Sequence, residues 1–272
     1  MADGKGADSD DYNVTYGQYL DLDNLLTAQN PHTSAHDEFL FIIQHQTSEL
    51  WMRLAIHELN AVRSALASNH LSAAFKILAR LSRIFDQLNS AWDVLRTMTP
   101  ADYTSFRESL TTASGFQSYQ YRMIEFIFGN RNLTMMKMFE NVPQVYVGLK
   151  AELERPSLYG EVIRLLFETL DGKGAPLPEM ALDEPHTAQL VIQTKWRFVY
   201  QNIDLHWPLY ELAEKLIDLE DYFRRWRFNH LTTVERVIGF KRGTGGTAGV
   251  SYLRRMLEVE LFPELWHVRG EI

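Results

Sequence analysis

The sequence predicts an all-α fold, and three observations carry that expectation. Apolar residues recur at three- and four-residue spacing through several long stretches, the period of a buried helix face. Helix start signals and glycine- or proline-rich breaks punctuate those stretches. No segment pairs strand-like alternation with the short turn of a β-hairpin, and no segment repeats another.

The elements follow in order. Residues 1–12 are small, polar and acidic and read as a disordered lead, leaving residues 13–272 as one domain. An aromatic and leucine-rich segment covers Tyr16 to Leu26. Ser34 then reads as an N-cap with Asp37 at the capping-box position, and a long helix runs to about Ala67. Phe39, Ile43, Leu50, Leu54, Ala61 and Ala65 mark its expected apolar stripe. A second long helix, from Leu71 to about Met98, carries Phe75, Leu78, Leu81, Ile84, Phe85, Leu88, Trp92 and Leu95. Thr99 and Pro100 supply the cap and first residue of a third, expected to end near Ser114-Gly115. Further helices are expected at 116–129, 143–154 and 157–170. The run Asp171-Gly172-Lys173-Gly174-Ala175-Pro176-Leu177-Pro178 is a clear break. Helices at 186–204 and from Pro208 to about Ile238 follow. A glycine-rich loop, Arg242 to Gly249, precedes a closing helix from Ser251 to about Leu261.

Composition narrows the chemistry. The chain has no cysteine, so disulfides, cysteine-ligated zinc, thiolate-ligated haem and haem attached through C-x-x-C-H are all excluded. A net charge of -8 argues against an electrostatically driven nucleic-acid partner. Met1 to Asp11 lacks the basic and apolar regions of a secretory signal. No apolar run approaches the roughly 20 residues of a membrane span. A cytoplasmic protein with neither nucleic-acid nor membrane partners is the expectation.

One stretch of the first long helix departs from its surroundings. Phe41-Ile42-Ile43 leads into Gln44-His45-Gln46-Thr47-Ser48, five polar residues inside a helix that should be buried. Buried polar groups cost free energy unless they are hydrogen-bonded. Phe41 and His45 lie one turn apart on one face, an aromatic wall with an imidazole behind it. That combination suits a flat ligand with one polar edge, although His45 also reads as a packed structural histidine. His230, among bulky neighbours near the end of the 208–238 helix, has the setting of a neutral metal or haem ligand and equally of a packed histidine. Tyr103 and Arg107 share a face of the Pro100 helix, and a guanidinium suits bidentate carboxylate capture. The alternative is a solvated arginine beside an amphipathic tyrosine. Gly243-Thr244-Gly245-Gly246 follows a helix and lacks the P-loop lysine. Its glycines let backbone and the Thr244 hydroxyl approach a ligand, and Lys241-Arg242 could face an anionic cofactor group. No H-E-x-x-H pattern is present.

Taken together, these strings resemble the tryptophan 2,3-dioxygenase family. The matching residues are Tyr16-Gly17, Tyr19-Leu20, Phe41 through Trp51, Phe106-Arg107, Ser114 through Ser118, Trp226-Arg227-Phe228, His230 and Gly243 through Gly246. The resemblance runs from about Tyr16 to the C-terminus. It implies a single helical domain around a buried, non-covalent haem b, one per subunit, in a homotetramer. It implies cleavage of the indole C2–C3 bond of L-tryptophan by O2 to N-formyl-L-kynurenine. His230 would be the proximal iron ligand, with Ser114, Gly115 and Gly243 near the haem. His45 would meet the indole N–H, and Phe41, Ile42, Ile43, Gln44 and Tyr103 would line the substrate. Arg107 would hold the carboxylate and Thr244 the amino-acid end. Tyr16, Tyr19 and Leu20 would enter a neighbouring subunit's pocket. Thr247-Ala248 stands where the family often has two serines. Two rival readings remain at this level: a non-catalytic haem sensor of the same fold, and a purely structural helical protein.

Overall fold

The computed structural model describes residues 13–178, 189–239 and 249–272. Among them the chain is helical, with no strand. Two short helices, α1 (Tyr16–Leu20) and α2 (Leu22–Leu25), lead into α3 (His36–Ala67) and α4 (Leu71–Leu95). Next come α5 (Pro100–Phe106), α6 (Tyr119–Phe128), α7 (Pro143–Leu153) and α8 (Leu158–Asp171). After the 171–178 break come α9 (Leu190–Gln201), α10 (Trp207–Val237), α11 (Val250–Met256) and α12 (Pro263–His267).

The core is built from the three longest helices. Helix α4 packs between α3 and α10, while α6 and α8 cover another flank of α3. Ala55, Leu59, Val62 and Leu66 of α3 meet Leu78, Leu81, Phe85 and Leu88 of α4, and Leu212, Leu216, Leu219 and Phe223 complete the layer from α10. Each of these sets recurs at three- or four-residue spacing, so one continuous apolar face per helix is removed from water.

Several helix ends differ from their expected form. Thr99 caps α5 as expected: its hydroxyl accepts from the Asp102 N–H, the Asp102 carboxylate returns a bond to the Thr99 N–H, and Pro100 is the first helical residue. That helix, however, stops at Phe106 and tightens into a 3-10 turn, Arg107–Leu110, before Thr111 takes a positive φ of 50°. Helix α3 begins at His36 with Ala35, not Ser34, in the extended cap position. Glu38 does the terminal work instead. Its carboxylate accepts from the His32 N–H at 2.8 Å and the Thr33 N–H at 2.7 Å. The expected stripe of α3 is also rotated: Phe39 and Leu50 are exposed, and the buried residues run through Met52, Ala55, Leu59, Val62 and Leu66.

The Glu38 anchor gives a testable pH dependence. Burial opposes its charge, yet the hydrogen bonds from Thr33 and His32 prevail and hold its pKa below the ordinary value. A depressed carboxyl contributes stability that is present above its unfolded pKa and lost as pH falls through the folded one. Glu38→Gln is therefore expected to destabilise the fold at pH 7 by the ~1–3 kcal/mol of an anchoring charged hydrogen bond, read as a lower melting temperature. The deficit relative to the parent should shrink as the pH falls below about 4.5. A pH-independent deficit contradicts this account.

Candidate active site

Helices α3, α4, α6, α10 and α11 and the 98–118 segment enclose one cavity. Its volume is about 220 Å³. Its walls are mainly apolar, with Phe41, Trp92, Leu95, Met98, Val234 and Val237 among them. Helical periodicity brings Phe41, Gln44, His45, Ser48, Glu49 and Met52 of α3 to one wall. Of the polar run of α3, Gln44, His45 and Ser48 line the cavity, whereas Gln46 and Thr47 do not, and Thr47 is exposed. Thr47 and Ser48 donate to carbonyls of the preceding turn, and Gln46 donates to the Ala28 carbonyl.

His45 has a defined protonation state. Its Nδ1 lies 2.7 Å from the Phe41 carbonyl oxygen. A carbonyl only accepts, so Nδ1 carries the hydrogen and Nε2 is left with a lone pair. Burial pushes the His45 pKa below its ordinary value, with the Phe41 carbonyl and Glu49 opposing. The ring is therefore neutral at pH 7, and its free nitrogen accepts a hydrogen bond. The Phe41 ring sits 4.1 Å away, centroid to centroid.

His230 faces the same cavity from α10. Burial, reinforced by His45, pulls its pKa down to about 4. It is a neutral imidazole at pH 7, the form that ligates iron. Trp92 stacks on it with ring centroids 4.9 Å apart and planes 15° apart, and Trp226 lies on another side at 5.6 Å. The indole N–H groups of both tryptophans are buried without a hydrogen-bond partner among the described residues. Such orphaned donors are uncommon in native interiors and point to a group held in the cavity.

Tyr103 lies on the α5 side of the cavity and is hydrogen-bonded to Arg107. Arg107 itself lines an adjoining recess with Pro100, Thr104, Glu235 and Arg236; Tyr103, Val237 and Ile238 are shared by the two spaces. A guanidinium thus stands at the edge of an apolar chamber, as an amino acid with a large flat side chain requires. Ser114 and Gly115 line the cavity. Ile42 and Ile43 are half-buried on the flanks of α3 and do not line it. Tyr16 and Tyr19 of α1 are 76% and 81% exposed, and with Leu20 they lie away from this chain's own cavity. Gly243 and Thr244, with Lys241 and Arg242, fall outside the described residues.

Sequence reasoning missed Trp92, Glu49, Arg122 and Tyr252, all of which line the cavity. Glu49 was legible, being one turn beyond His45. Arg122, with Glu125 three residues on, carried no such signal; the fold alone shows both to be buried.

Residues 2–157 and 189–272 match the family model described as tryptophan 2,3-dioxygenase. A tryptophan 2,3-dioxygenase of Ruegeria sp. (strain TM1040) is 66% identical over 259 residues, 95% of this chain and 93% of the relative. That of Bradyrhizobium diazoefficiens is 60% identical over 270 residues, 97% and 95% of the two chains. The chain belongs to the tryptophan 2,3-dioxygenase family. A more distant member from Burkholderia pseudomallei is 53% identical over 260 residues, 94% of this chain and 84% of its own.

The family implies a haem, and the cavity residues fit one. A neutral imidazole offers an axial nitrogen, and a second neutral imidazole faces the same space. Aromatic and aliphatic walls suit a macrocycle. Among the described residues no group of three or more histidine, cysteine, aspartate or glutamate side chains stands ready to hold a bare metal ion. A macrocycle supplies the remaining coordination itself. No helix among the described residues is long and apolar enough to cross a membrane.

Proposed function

We propose that this chain is a haem-dependent tryptophan 2,3-dioxygenase that cleaves the indole C2–C3 bond of L-tryptophan with O2, giving N-formyl-L-kynurenine, the first step of tryptophan degradation. The observation that carries the reading is the pair of neutral imidazoles, from α3 and α10, facing one apolar cavity with a guanidinium at its edge. His230 would hold a non-covalent haem b, one per subunit. The bound ferrous haem supplies the O2 activation, which is cofactor chemistry.

The protein's own residues position and select. Phe41 packs on the indole, and the His45 Nε2 lone pair accepts the indole N–H. Arg107, oriented by Tyr103, takes the substrate carboxylate, and Thr244 meets the amino-acid end. Ser114, Gly115 and Gly243 would help to hold the haem. Fixing a flat substrate between an aromatic wall, one hydrogen bond and a carboxylate clamp removes rotational freedom before reaction, a contribution that reaches ~7–11 kcal/mol in favourable cases. We further propose one domain over residues 13–272, a cytoplasmic location and a homotetramer. The exposed Tyr16, Tyr19 and Leu20 of α1 support the oligomer, as apolar side chains available to a neighbouring subunit.

Substitution of His45 separates orientation from acid–base catalysis. One hydrogen bond to the indole N–H is worth about 0.5–1.5 kcal/mol. An essential base contributes on the order of 10²–10⁴-fold in rate. The smaller loss is expected for His45→Ala, with haem retained. With 1-methyl-tryptophan, which cannot donate that bond, parent and variant should differ less than with tryptophan. A haem-replete His45→Ala enzyme that binds tryptophan and turns over none of it reinstates His45 as a base. The reading as a whole is tested by the visible spectrum of haem-reconstituted protein under O2, with and without L-tryptophan. A haem spectrum with tryptophan consumption is expected. A haem spectrum without consumption favours a sensor, and no haem spectrum removes both.

A further inference from the structure

Helix α4 presents a polar ladder to α10 on either side of His230. Asn89, Trp92 and Arg96 follow one another at helical spacing, and Trp92 stacks on the His230 ring. Asn89, one turn before Trp92, donates to the Tyr222 carbonyl at 3.0 Å and accepts from the Asn229 side-chain amide at 2.9 Å. Arg96, one turn after it, turns most of its guanidinium to α10. Its Nε–H donates to the Thr233 hydroxyl at 2.9 Å. Its Nη2 donates to the Thr232 hydroxyl at 2.6 Å and lies 3.1 Å and 3.0 Å from the backbone and side-chain oxygens of Asn229. The Arg96 carbonyl in turn accepts from the Arg236 Nε–H at 3.1 Å.

The Asn229 carbonyl belongs to the peptide unit that joins Asn229 to His230, so Arg96 grips the backbone at the histidine itself. The Thr232 and Thr233 hydroxyls also reach that carbonyl, at 3.2 Å and 2.7 Å. The ion-pair partner of Arg96 is the exposed Asp93 at 3.4 Å, a surface contact that contributes little. Its guanidinium is thus spent chiefly on one turn of α10. An apolar helix seam tolerates small rotations and slides, because hydrophobic contact is non-directional. Hydrogen bonds weaken steeply when misaligned, and a satisfied network rigidifies the elements it joins. The groups behind a metal-bound histidine set the orientation of its ring, and loss of one costs roughly 10–100-fold in affinity or activity. Arg96 lines neither the cavity nor the adjoining recess, so whatever it does for the site passes through α10.

We infer that Arg96 is a positioning residue for His230: it fixes the rotation and height of α10 so that the imidazole enters the cavity in one orientation. The inference rests on the reading of His230 as the haem ligand. The test uses reduced, ligand-free haem protein, whose iron–histidine stretching band reports the orientation and strain of that bond by its position and width. Arg96→Met is expected to lower and broaden the band and to speed haem release to an excess scavenger on the order of tenfold. Arg96→Lys keeps the charge without the planar fork and should recover part of both. Thr232→Val removes one acceptor of Arg96; it should shift the band the same way by less, and it serves if Arg96→Met does not fold. Arg164→Met is the control. Arg164 ties α8 to the Leu66 carbonyl of α3 away from both spaces, so its loss should lower the melting temperature and leave band and haem release unchanged. A parental band with parental haem release in both Arg96→Met and Thr232→Val, whatever their melting temperatures, overturns the inference. An equal band shift in Arg164→Met also overturns it, because the band then follows stability rather than position. A parent without an iron–histidine band, or a band that survives His230→Ala, overturns the ligand reading and the inference with it.

Discussion

Replacing His230 with alanine is expected to abolish stable haem binding while leaving the helical content unchanged. The imidazole is neutral, projects from the third-last turn of α10 and is held against Trp92. Its neighbours from Phe228 to Val234 are phenylalanine, asparagine, leucine, threonine and valine, none of them a competent axial ligand. The substitution removes the coordinate bond without removing a core residue, since the ring faces the cavity. His230→Gly supplemented with free imidazole should regain part of the haem spectrum, which a merely destabilised protein would not. Parental haem content and an unchanged ferrous spectrum in His230→Ala would take the ligand role from this residue.

Arg107→Ala is expected to lower kcat/KM for L-tryptophan by about 1.5–3 kcal/mol, on the order of 10- to 100-fold. Arg107→Lys should recover part of that loss, because lysine keeps the charge but not the two-pronged geometry that Tyr103 supports. The loss should fall mainly on substrate affinity, with haem content unaffected. Tryptamine, which lacks the carboxylate, should show a much smaller difference between parent and variants. Equal kcat/KM for tryptophan in parent and both variants places the carboxylate partner elsewhere.

The architecture was legible because its helices are long and their apolar period is strong. The second long helix was expected to run from Leu71 to Met98 and ends at Leu95, with Leu78, Leu81, Phe85 and Leu88 buried as anticipated. The α3 stripe was misread because that helix meets different partners along its length. Its C-terminal half packs into the core, whereas its N-terminal half lines a cavity with polar residues. A single apolar stripe cannot describe both, and Phe39 and Leu50 belong to neither surface. The α3 cap was misplaced by one residue because a capping motif is read from side chains, while the cap itself is the residue that takes extended backbone geometry.

The site was legible in part for the same reason. Phe41 and His45 share a helix face, so their joint entry into one cavity follows from spacing alone. The convergence of His230 on that cavity depends on how α10 crosses α4, which no local pattern encodes. Arg122 illustrates the limit. An arginine with a glutamate three residues on reads as a surface pair, and only the fold shows that both are buried.

The central claim is that this chain inserts both atoms of O2 into L-tryptophan. The most direct test supplies haem-reconstituted, reduced protein with L-tryptophan and isotopically labelled O2, and weighs the product. The expected result is N-formyl-L-kynurenine carrying two labelled oxygen atoms, with tryptophan and O2 consumed one to one. A product with one labelled atom or none, or O2 uptake that does not depend on tryptophan, would contradict it.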